Sequence, residues 1–552
     1  MGQSVKDELQ KKLQKIVEDY ARRRGIPLAE DFQVELTASK DPSHGDWSTP
    51  VALRLAKPLG KNPLQVAGEL MNLFQKESGV SRIEMAGPGF INFFLTASQQ
   101  AESLVEIYGK DRDYGKSNGG QGKKTMLEFV SANPTGPLTI AHGRQAAIGD
   151  ALARILEATG FKVTREYYLN DTGRQIGLLG ESLWARYQSL FGMEAPIPEE
   201  GYRGDYLEEI AEALRKKAGD SLLKKPRAEA VQTCTEFAAS EILKGIQEDL
   251  SQIGVQFDSY FSERSLREKK SVEQVIGGLK EKGFVFEKEG ALWFRSTSFG
   301  DDKDRVLRKQ TGEYTYLAPD IAYHATKFER GFEKLINLWG PDHHGYILRI
   351  KAACQALGRD PNQLNILIVQ LVTLYRKGEP VRMSTRAGEF VTLRELFEEV
   401  GVDAARFFFL LRRVESHLDF DLDLAKAQSD ENPVYYLQYA HARISSILRF
   451  SERKVNPKAD LDRLKAAEEI GLIKKLRAFP EVLIQAAQTL EPYRVVEYLR
   501  ELAAQFHKFY SLHRVVTEDE ALTEARLLLV EGVRIVLRNG LATLGVSQPE
   551  KM

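Results

Sequence analysis

Cysteine is almost absent: Cys234 and Cys354 are the only two in 552 residues. Two thiols cannot build a disulfide framework or a thiolate zinc site, and this scarcity points to a reducing, cytoplasmic setting. Net charge is nearly absent too. Lys and Arg number 77 against 78 Asp and Glu, a balance of −1 that excludes a histone-like polycation while permitting local basic surfaces. No apolar run approaches the ~18 residues of a membrane span; the longest, such as 364–375, reads as a buried strand. The opening MGQSVKDELQKKLQ lacks the apolar core of a secretory leader, and Lys6 stands where myristoylation requires Ser or Thr. Heptad arrays, solenoid periods and low-complexity tracts are missing as well. What is present, 43% hydrophobic and 28% charged residues, is the composition of a water-soluble globular chain of about three or four domains.

Apolar residues at helical spacing (Leu9, Leu13, Ile16, Val17, Tyr20) predict a helix over 5–24, stopped by Gly25-Ile26-Pro27. Strands are expected at 32–37 and 91–95 and a helix at 63–76, so 1–108 reads as one α+β unit; a polar, glycine-rich linker follows at 109–122. KTMLEFV (124–130) reads as a strand, 140–159 as a helix closed by Gly160, and 161–169 as a second strand. Such a unit implies parallel strands and a right-handed crossover. The apolar runs 334–338 and 365–374 are expected to extend the same sheet, with mostly helical insertions over 173–254. From Asp403 onward no strand is expected. Helical patterns at 403–412, 433–450, 464–478, 481–490, 493–512 and 521–541 predict an all-α bundle, with Pro480 separating the third from the fourth.

Two segments carry chemistry. In Asn133-Pro134-Thr135-Gly136-Pro137-Leu138-Thr139-Ile140-Ala141-His142-Gly143-Arg144, a loop stiffened by two prolines leads from strand to helix. The first turn of that helix offers unpaired N–H groups and the positive end of its dipole to phosphate. His142 sits there as a donor, and Gly143 would let a bulky ligand approach the backbone. The same text also fits an ordinary strand-to-helix turn with a capping histidine. In Val381-Arg382-Met383-Ser384-Thr385-Arg386-Ala387-Gly388, two cations, a hydroxyl and a glycine could close over a triphosphate. A solvated basic loop is the alternative there.

In this order the two segments resemble the signature pair of class I aminoacyl-tRNA synthetases, and the first is similar to the arginyl-tRNA synthetase family in particular. Further likenesses lie in 128–137 (EFVSANPTGP), 168–176 (YLNDTGRQI), Asp403-Ala404-Ala405-Arg406, 436–443 (YLQYAHAR) and Gly45-Asp46-Trp47 with 52–57, so the resemblance spans nearly the whole chain. The signatures depart from the family text: Thr139 and Ala141 replace a histidine and a glycine, and Arg382 and Thr385 stand where lysines are common. The cation lost at Thr385 is expected from Arg386, Lys123 or Lys124.

The resemblance implies a Rossmann-like α/β catalytic core with a parallel sheet, an α+β N-terminal domain and an all-α C-terminal bundle. Residues 1–112 would be an additional domain contacting the tRNA core, 113–380 the catalytic domain with helical insertions, 381–429 a connection with the second signature, and 430–552 the anticodon-binding domain. The implied activity converts L-arginine and ATP to arginyl-adenylate and moves the arginyl group to the 3′-terminal ribose of tRNA-Arg, releasing AMP and pyrophosphate, with activation dependent on bound tRNA. Thr139, His142, Gly143, Arg382, Ser384 and Arg386 would serve catalysis. A guanidinium, a planar fork of donors that keeps its charge, calls for carboxylates. Asp320 and Tyr316 are the first candidates, Glu263 the second acid, and Glu128 and Asn133 would hold the α-ammonium and carboxylate. ATP would meet His142, Gly340, Asp342 and Met383, with Asp342 at the ribose. A metal site from Asp342, His343 and His344 is a competing reading, weakened because adjacent side chains rarely converge on one ion. Tyr436, Tyr439 and Arg443 are candidates for tRNA, where a base stack is worth ~1–3 kcal/mol; the same stripe also fits bundle core. Mg²⁺ with ATP, no zinc, no membrane and a cytoplasmic monomer complete the expectation. Two rivals stay open: a small-molecule adenylating ligase of the same superfamily, and a non-catalytic RNA-binding paralogue, kept alive by Thr139, Ala141 and Thr385.

Overall fold

The structure is a computed structural model and describes residues 5–29, 32–38, 44–74, 80–381 and 391–552. Its N-terminal unit contains helix α1 (Val5–Arg23), strands β1 (Thr37–Ala38) and β2 (Trp47–Thr49), helices α2 (Val51–Leu59) and α3 (Pro63–Phe74), and strands β3 (Val80–Ala86) and β4 (Phe90–Leu95). The antiparallel sheet runs β1-β2-β4-β3, and Leu13, Val17, Leu70 and Phe93 help close a core of its own. The strand expected over 32–37 shrinks to its end because helix side chains take its backbone. Gln14 holds the Val34 N–H and the Phe32 carbonyl, and Arg54 holds the Gln33 carbonyl. Gly45 must be glycine: φ is +82°, and a Cβ would stand 2.6 Å from the Phe93 carbonyl oxygen.

Helix α4 (Ala97–Lys110) follows, and its Leu104 and Ile107 pack into the main core, against Gly532 of the C-terminal region. Asp46 points the same way. It lies 3.4 Å from the Arg477 guanidinium and 3.7 Å from Lys474 Nζ, and Arg477 also covers the Trp47 ring. The linker is strapped down rather than free: the buried Tyr114 hydroxyl donates to the Leu476 carbonyl at 3.0 Å.

The central region runs β5 (Lys124–Glu128), α5 (Ile140–Ala158), β6 (Lys162–Leu169), α6 (Arg174–Ser189), α7 (Tyr206–Ala218), α8 (Arg227–Gln252), β7 (Ser259–Ser262), α9 (Arg264–Glu268), α10 (Ser271–Glu281), β8 (Val285–Lys288), β9 (Ala291–Phe294), β10 (Arg305–Arg308), α11 (Leu317–Glu329), β11 (Lys334–Trp339), α12 (Ile347–Ala356) and β12 (Leu364–Ile368). Five strands form a parallel sheet in the order β12-β11-β5-β6-β7. Met126 and Leu127, adjacent on β5, bury into separate cores on its two faces, as a sheet covered on both sides requires. A small antiparallel sheet, β8-β9-β10, was not legible in the sequence.

Two expectations fail next. The run 365–374 is not one strand: β12 ends at Ile368, and β13 (Val372–Arg376) belongs to another sheet, between β14 (Glu379–Pro380) and β15 (Leu418–Asp421). That β15 also breaks the strand-free reading after Asp403; it is four residues long and pairs in parallel with the distant β13. Around it lie α13 (Leu393–Val400), α14 (Val402–Phe409) and α15 (Leu422–Lys426). The bundle then follows as α16 (Pro433–Phe450), α17 (Ala467–Arg477), α18 (Phe479–Thr489), α19 (Tyr493–Leu512) and α20 (Glu520–Thr543).

Candidate active site

In the parallel sheet β5 is followed by β6 on one side, while β11 lies on the other. Ligands of such sheets settle at this switch point, outside the carboxyl ends of the strands. A cleft of about 720 Å³ lies there, lined by residues after β5, β6, β7, β11 and β12 and by the starts of α5 and α11.

Strain shapes its floor. Val130, a β-branched residue, has φ +65° and Ser131 has φ +42°, backbone that such side chains adopt only when their surroundings impose it. The Ser131 N–H closes a γ-turn on the Phe129 carbonyl at 2.9 Å. The turn swings the chain out of the sheet, and the Tyr167 hydroxyl pins it by donating to the Ala132 carbonyl at 2.7 Å.

Three carboxylates converge on the cleft. Glu128 ends β5, Glu263 follows β7, and Asp320 stands in the first turn of α11. Glu128 is buried and accepts from Lys327, whose side chain is wholly buried and donates also to Asn337 Oδ1 at 3.0 Å. His324 extends this network. Its Nδ1–H donates to the Asp320 carbonyl at 2.8 Å while Nε2 faces the Asn337 amide at 2.9 Å; burial lowers its pKa to about 3, so it stays neutral. Glu263 accepts from the Tyr168 and Thr172 hydroxyls, each at 3.0 Å. Burial pushes the Asp320 carboxyl up to about 7; the charges of Glu128 and Glu263 add to the rise, while Tyr346 and Lys327 oppose it. Three acids around one buried ammonium leave a site short of positive charge. Lys327, Asn337, His324, Tyr168 and Tyr346 all escaped sequence reasoning. Tyr168 stood in the recognised segment 168–176 without being assigned a role, and Asn337, polar within the apolar run LINLW, carried a signal of its own: a polar side chain in a buried strand needs a partner.

The first signature forms the loop into α5 and that helix's start. His142 lines the cleft, and its Nδ1 accepts the Thr139 N–H at 3.1 Å, which leaves the ring proton on Nε2. Burial lowers its pKa to about 4, so it offers a neutral donor. Thr139 is given a different task from the expected one: its N–H and Oγ1 both engage His142. The expectation for Gly143 is corrected as well. A Cβ there would meet Leu393 at 2.2 Å and Phe409 at 3.2 Å, so the missing side chain admits neighbouring helices, not a ligand.

Asn133 donates to Gln175 at 2.6 Å, and both line the cleft. Tyr316, 82% exposed, stands at its mouth. Gly340 and Asp342 line it from the turn after β11; among the described residues no group of three or more His, Cys, Asp or Glu is placed to hold a metal ion. Lys123 and Lys124 cannot replace the absent lysine. They stand at the start of β5, and four residue steps of ~3.3 Å separate Lys124 from Glu128 at the cleft end. Arg382, Met383, Ser384 and Arg386 lie outside the described residues. Just beyond them, Thr392 bridges Thr139, and the Leu393 N–H donates to the Leu138 carbonyl at 2.9 Å. Thr392 and Leu393 are thereby tied to the first signature.

Family models match almost end to end: the arginyl tRNA synthetase N-terminal domain over 3–95, the class I (R) tRNA synthetase catalytic domain over 103–409, and the DALR anticodon binding domain over 437–552. The chain belongs to the arginyl-tRNA synthetases. An arginine–tRNA ligase of Geobacillus kaustophilus is 47% identical over 556 residues, covering 100% of both chains. One of Citrifermentans bemidjiense is 51% identical over 515 residues, 92% of this chain and 93% of its own. The solved arginyl-tRNA synthetase of Thermus thermophilus shares the fold, with TM-score 0.76 and 23% identity over 99% of this chain and 100% of that one. In this synthetase the bundle residues proposed for tRNA form one half-buried patch. Tyr436 and Tyr439 pack on the His507 ring at 4.4 and 6.0 Å. Arg443 donates to the Tyr439 hydroxyl at 2.6 Å and lies 5.4 Å from the Tyr510 ring centroid.

Proposed function

We propose that the acid-lined cleft is where this arginine–tRNA ligase activates its amino acid. The observation that carries the reading is the convergence of Glu128, Glu263 and Asp320 beside the first turn of α5. A guanidinium matches Asp320 and Glu263 as a fork of donors, while Glu128 and Asn133 hold the α-ammonium and carboxylate. Tyr316 closes the mouth, and Asp342 takes the ribose hydroxyls of ATP. The α5 N-terminus and His142 Nε2–H face the phosphates. A carboxylate oxygen of arginine attacks the α-phosphorus in line; the bond to the β-phosphate breaks and pyrophosphate leaves. A hydroxyl of the tRNA 3′-terminal ribose then attacks the arginyl carbonyl carbon, loses its proton, and displaces AMP. Positioning and charge account for both steps, with no enzyme nucleophile. Magnesium would come with ATP and would neutralise charge on its phosphates.

Tyr436, Tyr439 and Arg443 meet tRNA from the bundle, and activation waits for bound tRNA; substantial ATP–pyrophosphate exchange with arginine alone refutes that dependence. Two buried free thiols fit a reducing cytoplasm, and size-exclusion chromatography with light scattering tests the monomer. Aminoacylation of tRNA-Arg is the direct test, and its absence leaves the RNA-binding paralogue. Asp320→Asn should raise the KM for arginine far more than that for ATP. An equal effect on both would make the pocket assignment wrong.

A further inference from the structure

Arg144, in the second turn of α5, is 0% exposed, and no ion pair engages it among the described residues. Its guanidinium instead donates to three backbone carbonyls: Gln370 at 2.8 Å, Leu371 at 3.4 Å and Arg413 at 3.0 Å. Its Nε has no partner. Buried arginines normally meet a carboxylate, so a guanidinium held by carbonyls alone keeps an uncompensated charge in a low-dielectric place.

That place is next to the cleft. Val369, Gln370 and Leu371 line it, as do Ala141, His142 and Gln145 on either side of Arg144 in sequence. A helical side chain leans back toward the helix N-terminus, which brings the charge alongside the turn expected to receive phosphate. The 369–371 wall follows β12, one edge strand, whereas Glu263 follows β7, the other. Four strand spacings of ~4.8 Å separate those edges, about 19 Å along the cleft. Arg144 therefore serves the end away from Glu263. The wall is also held by main chain, with Val369 N–H on the Trp339 carbonyl at 2.8 Å, Gln370 N–H on the Val414 carbonyl at 3.1 Å and Leu418 N–H on the Leu371 carbonyl at 3.1 Å, and by Val369 packing into the main core.

We propose that Arg144 is a positioning residue for ATP: it locks the 369–371 wall to the start of α5 and places an un-neutralised positive charge behind the surface on which the phosphates rest. This deepens the site assignment above and depends on it. The test measures KM for ATP and for arginine separately, in aminoacylation at saturating tRNA-Arg, for Arg144→Met and Arg144→Lys. The methionine variant should raise the ATP KM by about tenfold or more and shift the arginine KM by less than about twofold. Lysine, which keeps the charge but cannot span three carbonyls, should recover part of that loss. Equal changes in both KM values, no change in either, or a lysine variant no better than methionine would overturn the proposal. If Arg144→Met does not fold, as judged by circular dichroism and thermal unfolding, the lysine variant decides by the same split. His142→Ala and Asp320→Asn run alongside. If these controls move the ATP and arginine KM values respectively but Arg144 variants do not, this inference alone falls; if the controls fail, the site assignment falls and takes the proposal with it.

Discussion

Arginine should bind this synthetase less tightly as pH falls through 7, because Asp320 must be ionised to receive a guanidinium. Burial, reinforced by Glu128 and Glu263, lifts its carboxyl from 3.8 to about 7, which corresponds to about 4 kcal/mol of ionisation free energy. A bound guanidinium returns Asp320 to its charged form, so below pH 7 the free protein takes up a proton that the complex releases. Affinity should level off above pH 8, fall about tenfold per unit once pH is below 7, and drop about thirtyfold between pH 8 and 5.5. The groups facing Asp320 are Glu128, Glu263, Tyr168, Tyr346 and Lys327, and His142 and His324 in the same cleft are kept neutral by burial. Isothermal titration calorimetry across this range is the assay, with Asp320→Asn expected to bind weakly and without pH dependence. A flat wild-type profile, or a slope that survives in Asp320→Asn, refutes the reasoning. The same shift acts on folding with its own sign. Native Asp320 holds its proton up to about pH 7 and the unfolded chain only to about 3.8, so the fold loses stability as pH rises between those values. Asp320→Asn should therefore raise Tm at pH 8 while it weakens arginine binding.

Lys327→Met strands the buried Glu128 without its cation; a cost of about 3–5 kcal/mol is expected in urea unfolding, and an unchanged midpoint would contradict the pairing. Gly143→Ala drives a methyl to 2.2 Å from Leu393, and should cost about 1–3 kcal/mol of stability together with aminoacylation rate. Normal stability and rate would show that Leu393 simply steps aside. Gly45→Ala combines φ +82° with a 2.6 Å approach to the Phe93 carbonyl, worth about 1–3 kcal/mol, and limited proteolysis should then cleave the N-terminal unit before the rest.

Helices and the parallel sheet were readable because their signals are local. Pro433 at the start of α16 and the amphipathic run of α19 fix those elements without help from elsewhere. Strand β15 escaped because its four residues are held by β13, far back in the chain. Glu263 and Asp320 were legible as acids in characteristic text, but nothing in the helix segment HATKFE marks Lys327 as buried. The explanation for Gly143 lies 250 positions away in Leu393, a packing contact that a linear reading hides. Lys123 and Lys124 failed for a reason the sequence did contain: a parallel strand presents its ligand at its far end, and both lysines stand at the beginning.

The contact of Asp46 and Trp47 with Arg477 bears on how a truncated chain would behave. Arg477 is only 9% exposed in its side chain, and Asp46 is its sole ion-pair partner among the described residues. A chain shortened to begin at α4 would leave the Arg477 guanidinium without its ion-pair partner and without the Trp47 ring beside it. Any loss of charging by that fragment would include the effect of a damaged bundle, so the clean comparison is the intact chain bearing Asp46→Asn.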